Sequence, residues 1–271
     1  MKFDSGLAWK QASSAISANR EVLFVLAGVF YLLPGLAVAL LFPQPEMPAD
    51  PTPKEAMAIL SEYYESVLPV LIPMLLFQAT GTLALLTMLT DKSRPTVGEA
   101  IKRGVKGIIP YILAQIVFAF AMGFVGGLVI AVGAVTGQPV VAALGMAAAI
   151  ALFVYGAIKT SLVAPVIVVE GQVNPIAALM RSWNLAKGNS FRLLLFYFVV
   201  AAAFLVIMMV VTAIGGIAVN LLLGEEIGGT VMLAVSAALN AVMALYFSAI
   251  IVAVHRQLAG PSQRDVAQTF D

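Results

Sequence analysis

Six long apolar runs constrain what this chain can fold into more than any other feature of its sequence. They cover residues 22–42, 67–90, 108–135, 140–169, 191–223 and 229–254. Each can cross a hydrocarbon core about 30 Å thick, which takes roughly 20 apolar residues in a helix. With 61% of its residues hydrophobic and only 11% charged, the chain also lacks the charge that a water-exposed surface needs. The sequence therefore predicts an all-α polytopic membrane protein with six transmembrane helices.

The first run is expected to be an uncleaved span. Ala37, Val38 and Ala39 resemble a small-residue cleavage motif, but 21 residues that include Asp4 and Glu21 precede the run. The apolar part of a signal peptide usually follows a short basic region and runs about 7–15 residues. We therefore interpret residues 22–42 as a transmembrane helix.

Lysine and arginine are distributed unequally between the two sets of connections. The N-terminal segment, the second and fourth connections and the tail hold Lys2, Lys10, Arg20, Lys92, Arg94, Lys102, Arg103, Lys106, Arg181, Lys187, Arg192, Arg256 and Arg264. The other three connections contain only Lys54. Because positively charged flanks stay in the cytoplasm, this asymmetry places both termini there.

Three segments on the basic side align without gaps and indicate an internal repeat. They are residues 6–13, 98–105 and 176–183, in which Ala8, Ala100 and Ala178 open the matched core. Each segment precedes a pair of spans, so the chain is predicted to contain three modules of an amphipathic cytoplasmic helix followed by a transmembrane hairpin. Within one membrane domain, 1–271, these modules are approximately 1–90, 91–169 and 170–254, and a short cytoplasmic tail, 255–271, follows.

Helical spacing within the aligned segments predicts helices at the membrane surface. In the third segment, four apolar residues at positions i, i+3, i+4 and i+7 share one helix face: Ile176, Leu179, Met180 and Trp183. Gly107 and Gly188 stand where the second and third helices are expected to end. Two interpretations are open: elbow helices that orient the spans, or helices that recognise lipid or a partner.

The first connection on the other side differs from the rest. Residues 43–53 are rich in proline, and residues 54–66 combine apolar side chains at helical spacing with Glu55, Glu62 and Glu65. This pattern predicts an acidic amphipathic helix, 54–66, at the outer surface. Three interpretations are open: a simple connector, a cover over the mouth of the bundle, or a contact for a protein partner.

The sequence offers few groups for catalysis or for metal binding. It has no cysteine and one histidine, His255, so neither a thiol nucleophile nor a Cys/His metal cluster can form. Phosphate-loop, nucleophile-elbow and zinc-protease motifs are absent. A net charge of +1 gives no reason to expect nucleic acid as a partner. We expect no cofactor, and we interpret His255 as an interfacial anchor of the sixth span.

Lys159 is the only basic residue within a predicted span. Pro165 is expected to break the same helix by freeing the carbonyl of Ser161. Glu170 lies eleven residues after Lys159, roughly 16 Å along a straight helix, so the two side chains cannot pair there. An unwound segment 165–170 that folds back, a lipid phosphate, a carbonyl or Gln115 are alternative partners for Lys159.

Two interpretations of Lys159 follow: a lysine that ties a broken helix to its neighbours, or an anchor for a headgroup or substrate. The candidate ligand-binding residues are Lys159, Glu170, Arg181, Lys187 and Gln115. Elsewhere in the spans, the spacing of Gly123 and Gly127 predicts close helix packing.

Residues 164–188 carry a family resemblance. The matching positions are Pro165, Glu170, Pro175, Ala178, Arg181, Ser182, Trp183, Lys187 and Gly188. The segment resembles a bacterial family of six-span inner-membrane proteins described as the membrane domain of glycerophosphoryl diester phosphodiesterase, together with related uncharacterised proteins. The resemblance implies a multi-pass protein of the bacterial inner (cytoplasmic) membrane. In the relatives that are enzymes, a soluble phosphodiesterase domain follows the membrane part. Here only 17 residues follow the last predicted span, so we do not expect hydrolase activity.

Two functions are favoured by these features, and a third, an enzyme acting at the membrane, is disfavoured because catalytic motifs are absent. The first is a non-enzymatic protein that binds or organises membrane lipids or a membrane partner, supported by the basic interfacial helices. The second is a small transporter or flippase-like carrier of a lipid or amphiphile, supported by the repeats and by Lys159. Inverted repeats are typical of carriers, whereas these repeats are parallel, which favours the first function.

Overall fold

A computed structural model describes residues 2–90 and 95–260, and every regular element in these ranges is a helix. Six helical stretches are long and apolar enough to cross a membrane: Arg20–Leu41, Pro53–Thr90, Val97–Val135, Pro139–Val169, Ser190–Leu223 and Glu225–Ala259. The predicted all-α, six-span architecture is therefore confirmed. Residues 261–271 of the predicted tail, and residues 91–94 of the second basic connection, lie outside the described residues.

Several spans consist of more than one helix. In chain order the elements are α1 (Ser5–Ala18), α2 (Arg20–Ala27), a π-helical turn (Gly28–Leu32), α3 (Leu33–Leu41), α4 (Pro53–Thr90), α5 (Val97–Val135), α6 (Pro139–Thr160), α7 (Val163–Val169), α8 (Pro175–Leu185), α9 (Ser190–Val210), a second π-helical turn (Val211–Gly215), α10 (Gly216–Leu223) and α11 (Glu225–Ala259). The first span comprises α2 and α3, the fourth α6 and α7, and the fifth α9 and α10.

One end of the bundle, which we call the basic end, gathers α1, the end of α4, the start of α5, residues 170–189 and the end of α11. The start of α5 packs on α8, and three hydrogen bonds link the other parts. The Phe3 amide donates to Asn189 Oδ1 (2.9 Å), the Asp4 amide donates to Gln257 Oε1 (3.1 Å), and Arg256 donates to a main-chain carbonyl at the end of α4 (2.6 Å). The most densely buried part of α11 lies at the same end, between Ser248 and His255.

Two predicted surface helices prove to be continuous with spans. The second module has no separate cytoplasmic helix, because α5 runs through Gly107 without interruption. A Cβ at Gly107 would lie 3.2 Å from Leu83 Cδ1, so this glycine permits close packing and does not end the helix. Likewise, the stretch 54–66 is the first part of α4 and not an independent helix. Its contact with a protein partner stays a prediction.

The third module follows the expectation more closely. The helix α8 ends at Leu185, and Gly188 has a φ of 80°, a left-handed conformation typical of glycine after a helix. The predicted apolar face of α8 is divided: Ile176 and Met180 are exposed, whereas Leu179 packs against the core and Trp183 contacts Tyr155 of α6. The two exposed residues agree with a helix that rests in the membrane interface.

Small residues of the three aligned segments occupy equivalent packing positions. All three copies bury a small residue at the first matched position and another four residues later: Ala8 with Ala12, Ala100 with Gly104, and Ala178 with Ser182. Superposition of the three modules about an axis normal to the membrane stays a prediction.

The expected packing of Gly123 and Gly127 is wrong. A Cβ at either position would meet no atom within 4 Å. The close approach of α5 and α6 is made instead by Gly133 and Gly145, because a Cβ at Gly133 would lie 3.0 Å from the Val141 carbonyl oxygen.

Candidate functional site

The fourth span is interrupted where α6 meets α7, and α8 closes the gap. Ser182 of α8 donates its hydroxyl hydrogen to the Lys159 carbonyl (2.8 Å) and accepts the Leu162 amide (3.1 Å). One buried hydroxyl thus satisfies two main-chain groups that lose their helical partners at the break. The break lies at Ser161 and Leu162, before Pro165, which occupies the first turn of α7, where its missing amide costs little. The predicted unwound segment 165–170 is wrong, because residues up to Val169 are helical.

Lys159 lies just before this break and is only 3% exposed. Its ammonium nitrogen is 5.5 Å from the centre of the Tyr155 ring and 5.4 Å from that of the Trp183 ring. The two rings meet edge to face, with 5.7 Å between their centres. Cation–π contacts of this kind stabilise a desolvated ammonium. Lys159 therefore joins α6 to α8, and Glu170 and Gln115 are not its partners.

Glu170 instead joins α8 to α11. One carboxylate oxygen, Oε2, accepts a hydrogen bond from Arg181 Nε (2.8 Å), and the other, Oε1, lies 3.0 Å from His255 Nε2. Partial burial favours the neutral carboxyl, but the hydrogen bonds and charges of Arg181 and His255 outweigh it and lower the pKa of Glu170 below its ordinary value. The carboxylate is therefore ionised at neutral pH and holds Arg181 in a fixed orientation.

The environment of His255 differs from the predicted one. The residue is 4% exposed and contacts Glu170, so it lies inside the bundle and does not serve as an interfacial anchor. The sequence contained a signal for this pair, because the fourth and sixth spans end on the same side of the membrane. Nothing else in the sequence pairs the two residues, because His255 stands next to Arg256 and 85 residues from Glu170.

A polar pocket of about 290 Å³ lies beside this group. Its lining consists of Arg181, Asn184, Leu185, Lys187, Asn189 and Leu258. Sequence reasoning singled out Arg181 and Lys187 but missed the two asparagines, since isolated amides carry no distinctive pattern. The terminal nitrogens of Arg181 make no hydrogen bond within the described part of the chain, so they are available to a ligand.

The candidate residues therefore divide into three groups. Arg181 and Lys187 line the pocket, and Glu170 orients Arg181 from behind. Lys159 contacts the rings of Tyr155 and Trp183 and so links α6 to α8. Gln115 stands alone: it is exposed on α5, where its amide donates to the hydroxyl of Tyr111 one turn earlier (3.0 Å), and it contacts neither the pocket nor Lys159.

Residues 131–258 match the family model described as the membrane domain of glycerophosphoryl diester phosphodiesterase. The match covers 128 of the 271 residues and confirms the resemblance predicted from residues 164–188. The matched region contains the broken fourth span and α8. Glu170, its two partners Arg181 and His255, and all six residues that line the pocket therefore lie within it. Neither the curated proteins nor the solved structures include a match to this chain.

Proposed function

We propose that this chain is a non-enzymatic protein of the bacterial inner membrane whose basic end, on the cytoplasmic side, binds the anionic headgroups of membrane lipids. The observation that carries the proposal is the polar pocket, in which Arg181 and Lys187 stand together with Asn184 and Asn189. Its position at the end of the spans is where lipid headgroups lie. Guanidinium, ammonium and amide groups are suitable donors for a lipid phosphate.

The charges of the pocket support an anionic ligand. Glu170 compensates much of the charge of Arg181, and its hydrogen bond to Nε leaves the terminal nitrogens directed elsewhere. Lys187 has no carboxylate partner within the described residues and supplies net positive charge. Arg181 thus contributes oriented hydrogen-bond donors, and Lys187 contributes the positive charge that attracts an anionic headgroup.

The serine that follows Arg181 in the sequence supports a non-enzymatic role. Ser182 follows Arg181 directly, but its oxygen bridges Lys159 and Leu162 across the helix break. A nucleophilic serine needs a base within hydrogen-bond reach. The one histidine of the sequence, His255, makes no hydrogen bond to Ser182, whose hydroxyl bonds only main-chain groups.

Lipid titration of the purified full chain tests the proposal. Native mass spectrometry would compare binding of phosphatidylglycerol with that of phosphatidylcholine carrying the same acyl chains. We expect the R181Q/K187Q variant to lose the preference for the anionic lipid. The matched control is R20Q/K102Q, which removes two exposed charges outside the pocket. Equal preference in R181Q/K187Q and the unaltered protein would refute headgroup binding at this pocket.

A lipid or amphiphile carrier is a second candidate, favoured by the discontinuous fourth span. Broken helices near buried charges are typical of secondary transporters, and here the break at Ser161 and Leu162 adjoins buried Lys159. Proteoliposomes containing a fluorescent phospholipid would test this function. Faster transfer between leaflets than in protein-free vesicles, abolished by the R181Q/K187Q variant, would support the carrier over the static binding module.

A further inference from the structure

An apolar groove of about 440 Å³ runs between the start of α1 and the membrane-embedded part of α9. Ser5, Gly6 and Trp9 form one wall, while Phe196, Val199 and Ala203 belong to the other. The volume lies within the range of ordinary small-molecule sites. The groove lies on a surface that a lipid bilayer surrounds, so hydrocarbon is available to fill it.

Aromatic contacts fix the shape of this groove. Trp9 stacks on Tyr246 of α11, with 5.8 Å between ring centres, and Tyr246 meets Phe204 of α9 edge to face at 5.9 Å. These three rings link α1, α11 and α9 and keep the walls apart. A preformed groove requires little ordering when a flexible chain enters it.

The groove and the polar pocket are neighbours, separated by the N-terminal residue Phe3. The Phe3 amide donates to Asn189, which lines the pocket, and the Phe3 ring contacts Phe196, which lines the groove, with 5.4 Å between ring centres. Asn189 and Phe196 are seven residues apart, about 10 Å along the helix axis. One amphiphile can therefore reach both sites.

We infer that the pocket and the groove together form a single binding site for one anionic glycerophospholipid. Its phosphate-bearing headgroup contacts Arg181 and Lys187, and one acyl chain lies along α9 beside α1. The inference rests on the proposed function for the headgroup and adds a specific place for the chain. Charge in the pocket, an apolar groove beside it and the membrane location all fit this occupant.

Filling the groove tests the inference. Ala203 lines the groove and Ala201, two residues earlier on α9, does not, although both are exposed. A203W therefore occupies the space of the acyl chain, and A201W is the matched control. Native mass spectrometry of the purified full chain, titrated with phosphatidylglycerol, should show about a tenfold loss of affinity for A203W, because displacing two methylene groups suffices for such a change. A201W should bind as the unaltered protein does.

A second ligand separates the chain from the headgroup. Glycerophosphoglycerol carries the same headgroup without acyl chains, so its weaker binding should be equal in A203W and the unaltered protein. V199F provides an independent obstruction of the groove if A203W does not fold, as judged by its melting temperature.

The possible results distinguish this inference from the proposed function. If A203W and V199F bind phosphatidylglycerol normally while R181Q/K187Q does not, binding of an acyl chain in the groove is refuted and headgroup binding in the pocket stands. If R181Q/K187Q keeps its lipid preference while A203W binds every phospholipid less well, headgroup binding fails and the groove accepts chains without regard to charge. If A203W instead dissociates a dimer, the groove is covered by a second copy and the inference is wrong.

Discussion

Lys159 shows how a single charge is kept inside the bundle. Its ammonium is stabilised by Tyr155 and Trp183, and no carboxylate lies against it within the described ranges. The structure therefore agrees with the interpretation of Lys159 as a tie between helices, since the residue does not line the pocket.

Substitution of Lys159 should affect stability and leave lipid selectivity unchanged. K159M keeps an apolar, polarisable side chain between the rings and should cost about 1 kcal/mol or less. K159Q leaves a buried amide without a partner and should cost about 2 kcal/mol. Melting curves in detergent would compare the two variants. Loss of the preference for phosphatidylglycerol in folded K159M would instead favour the headgroup anchor.

Glu170 should contribute stability that depends on pH. Its lowered pKa in the folded protein means that the ionised carboxylate favours folding at neutral pH, and that this contribution is lost as the pH falls through the folded pKa, below the ordinary value of 4.5. E170A removes the acceptor of Arg181 and His255 and should cost about 1 kcal/mol at pH 7, because water screens the pair with half-exposed Arg181. The control is E226A, an exposed glutamate at the other end of the bundle.

Melting temperatures measured between pH 7 and pH 3 would test this linkage. The difference between E170A and the unaltered protein should shrink in acid, because the unaltered protein loses the same interaction. A difference that stays constant over the whole range would show that the charge of Glu170 contributes nothing to stability.

The residues of the site could be only partly predicted from the sequence. Arg181 and Lys187 are candidates from the sequence because both belong to the motif in residues 164–188 that carries the family resemblance, and both line the pocket. The pairing of Glu170 with His255 depends on which spans pack together, which periodicity does not specify. The capping role of Ser182 depends on where the fourth span breaks, one turn before the proline that suggested the break.

At the scale of helices, the sequence was most informative about spans and least informative about their ends. Long apolar runs impose one solution in a bilayer, because an unpaired backbone group is costly there. The predictions for Gly107 and residues 54–66 are wrong because polar residues beside a span fit either a separate surface helix or an extension of the span. Only packing against Leu83 distinguishes the packing glycine at position 107 from a terminating one.

The contact between α4 and α5 should depend on Gly104. A Cβ there would lie 3.0 Å from the Thr80 carbonyl oxygen and 3.1 Å from the Ala84 amide nitrogen, both main-chain atoms that cannot move aside easily. We expect G104V to destabilise the protein by about 2 kcal/mol, as overpacking typically does. G98V, on the same helix with nothing within 4 Å of its Cβ, is the control. Equal melting temperatures for the two variants would contradict the close approach.

At the scale of the whole molecule, binding of cytoplasmic-leaflet lipids in the pocket requires that the basic end faces the cytoplasm. The structure brings α1, α8 and the ends of α4 and α11 together, so the basic connections share one side of the bundle, as the counting of Lys and Arg requires. The anionic lipids of the inner leaflet would then adjoin Arg181 and Lys187.

Reporter insertions in the full chain would establish this orientation. Gly188, in the turn between α8 and α9, should report the cytoplasm, whereas Gly137, in the turn between α5 and α6, should report the periplasm. Both glycines have a positive φ and lie in short turns, so neither insertion interrupts a helix and each serves as the control for the other. A single span, composed of α6 and α7, separates the two turns. Any six-span topology therefore requires opposite signals from them. A periplasmic signal at Gly188 with a cytoplasmic signal at Gly137 would invert the protein, place the pocket in the outer leaflet and remove the basis for recognition of cytoplasmic-side lipids.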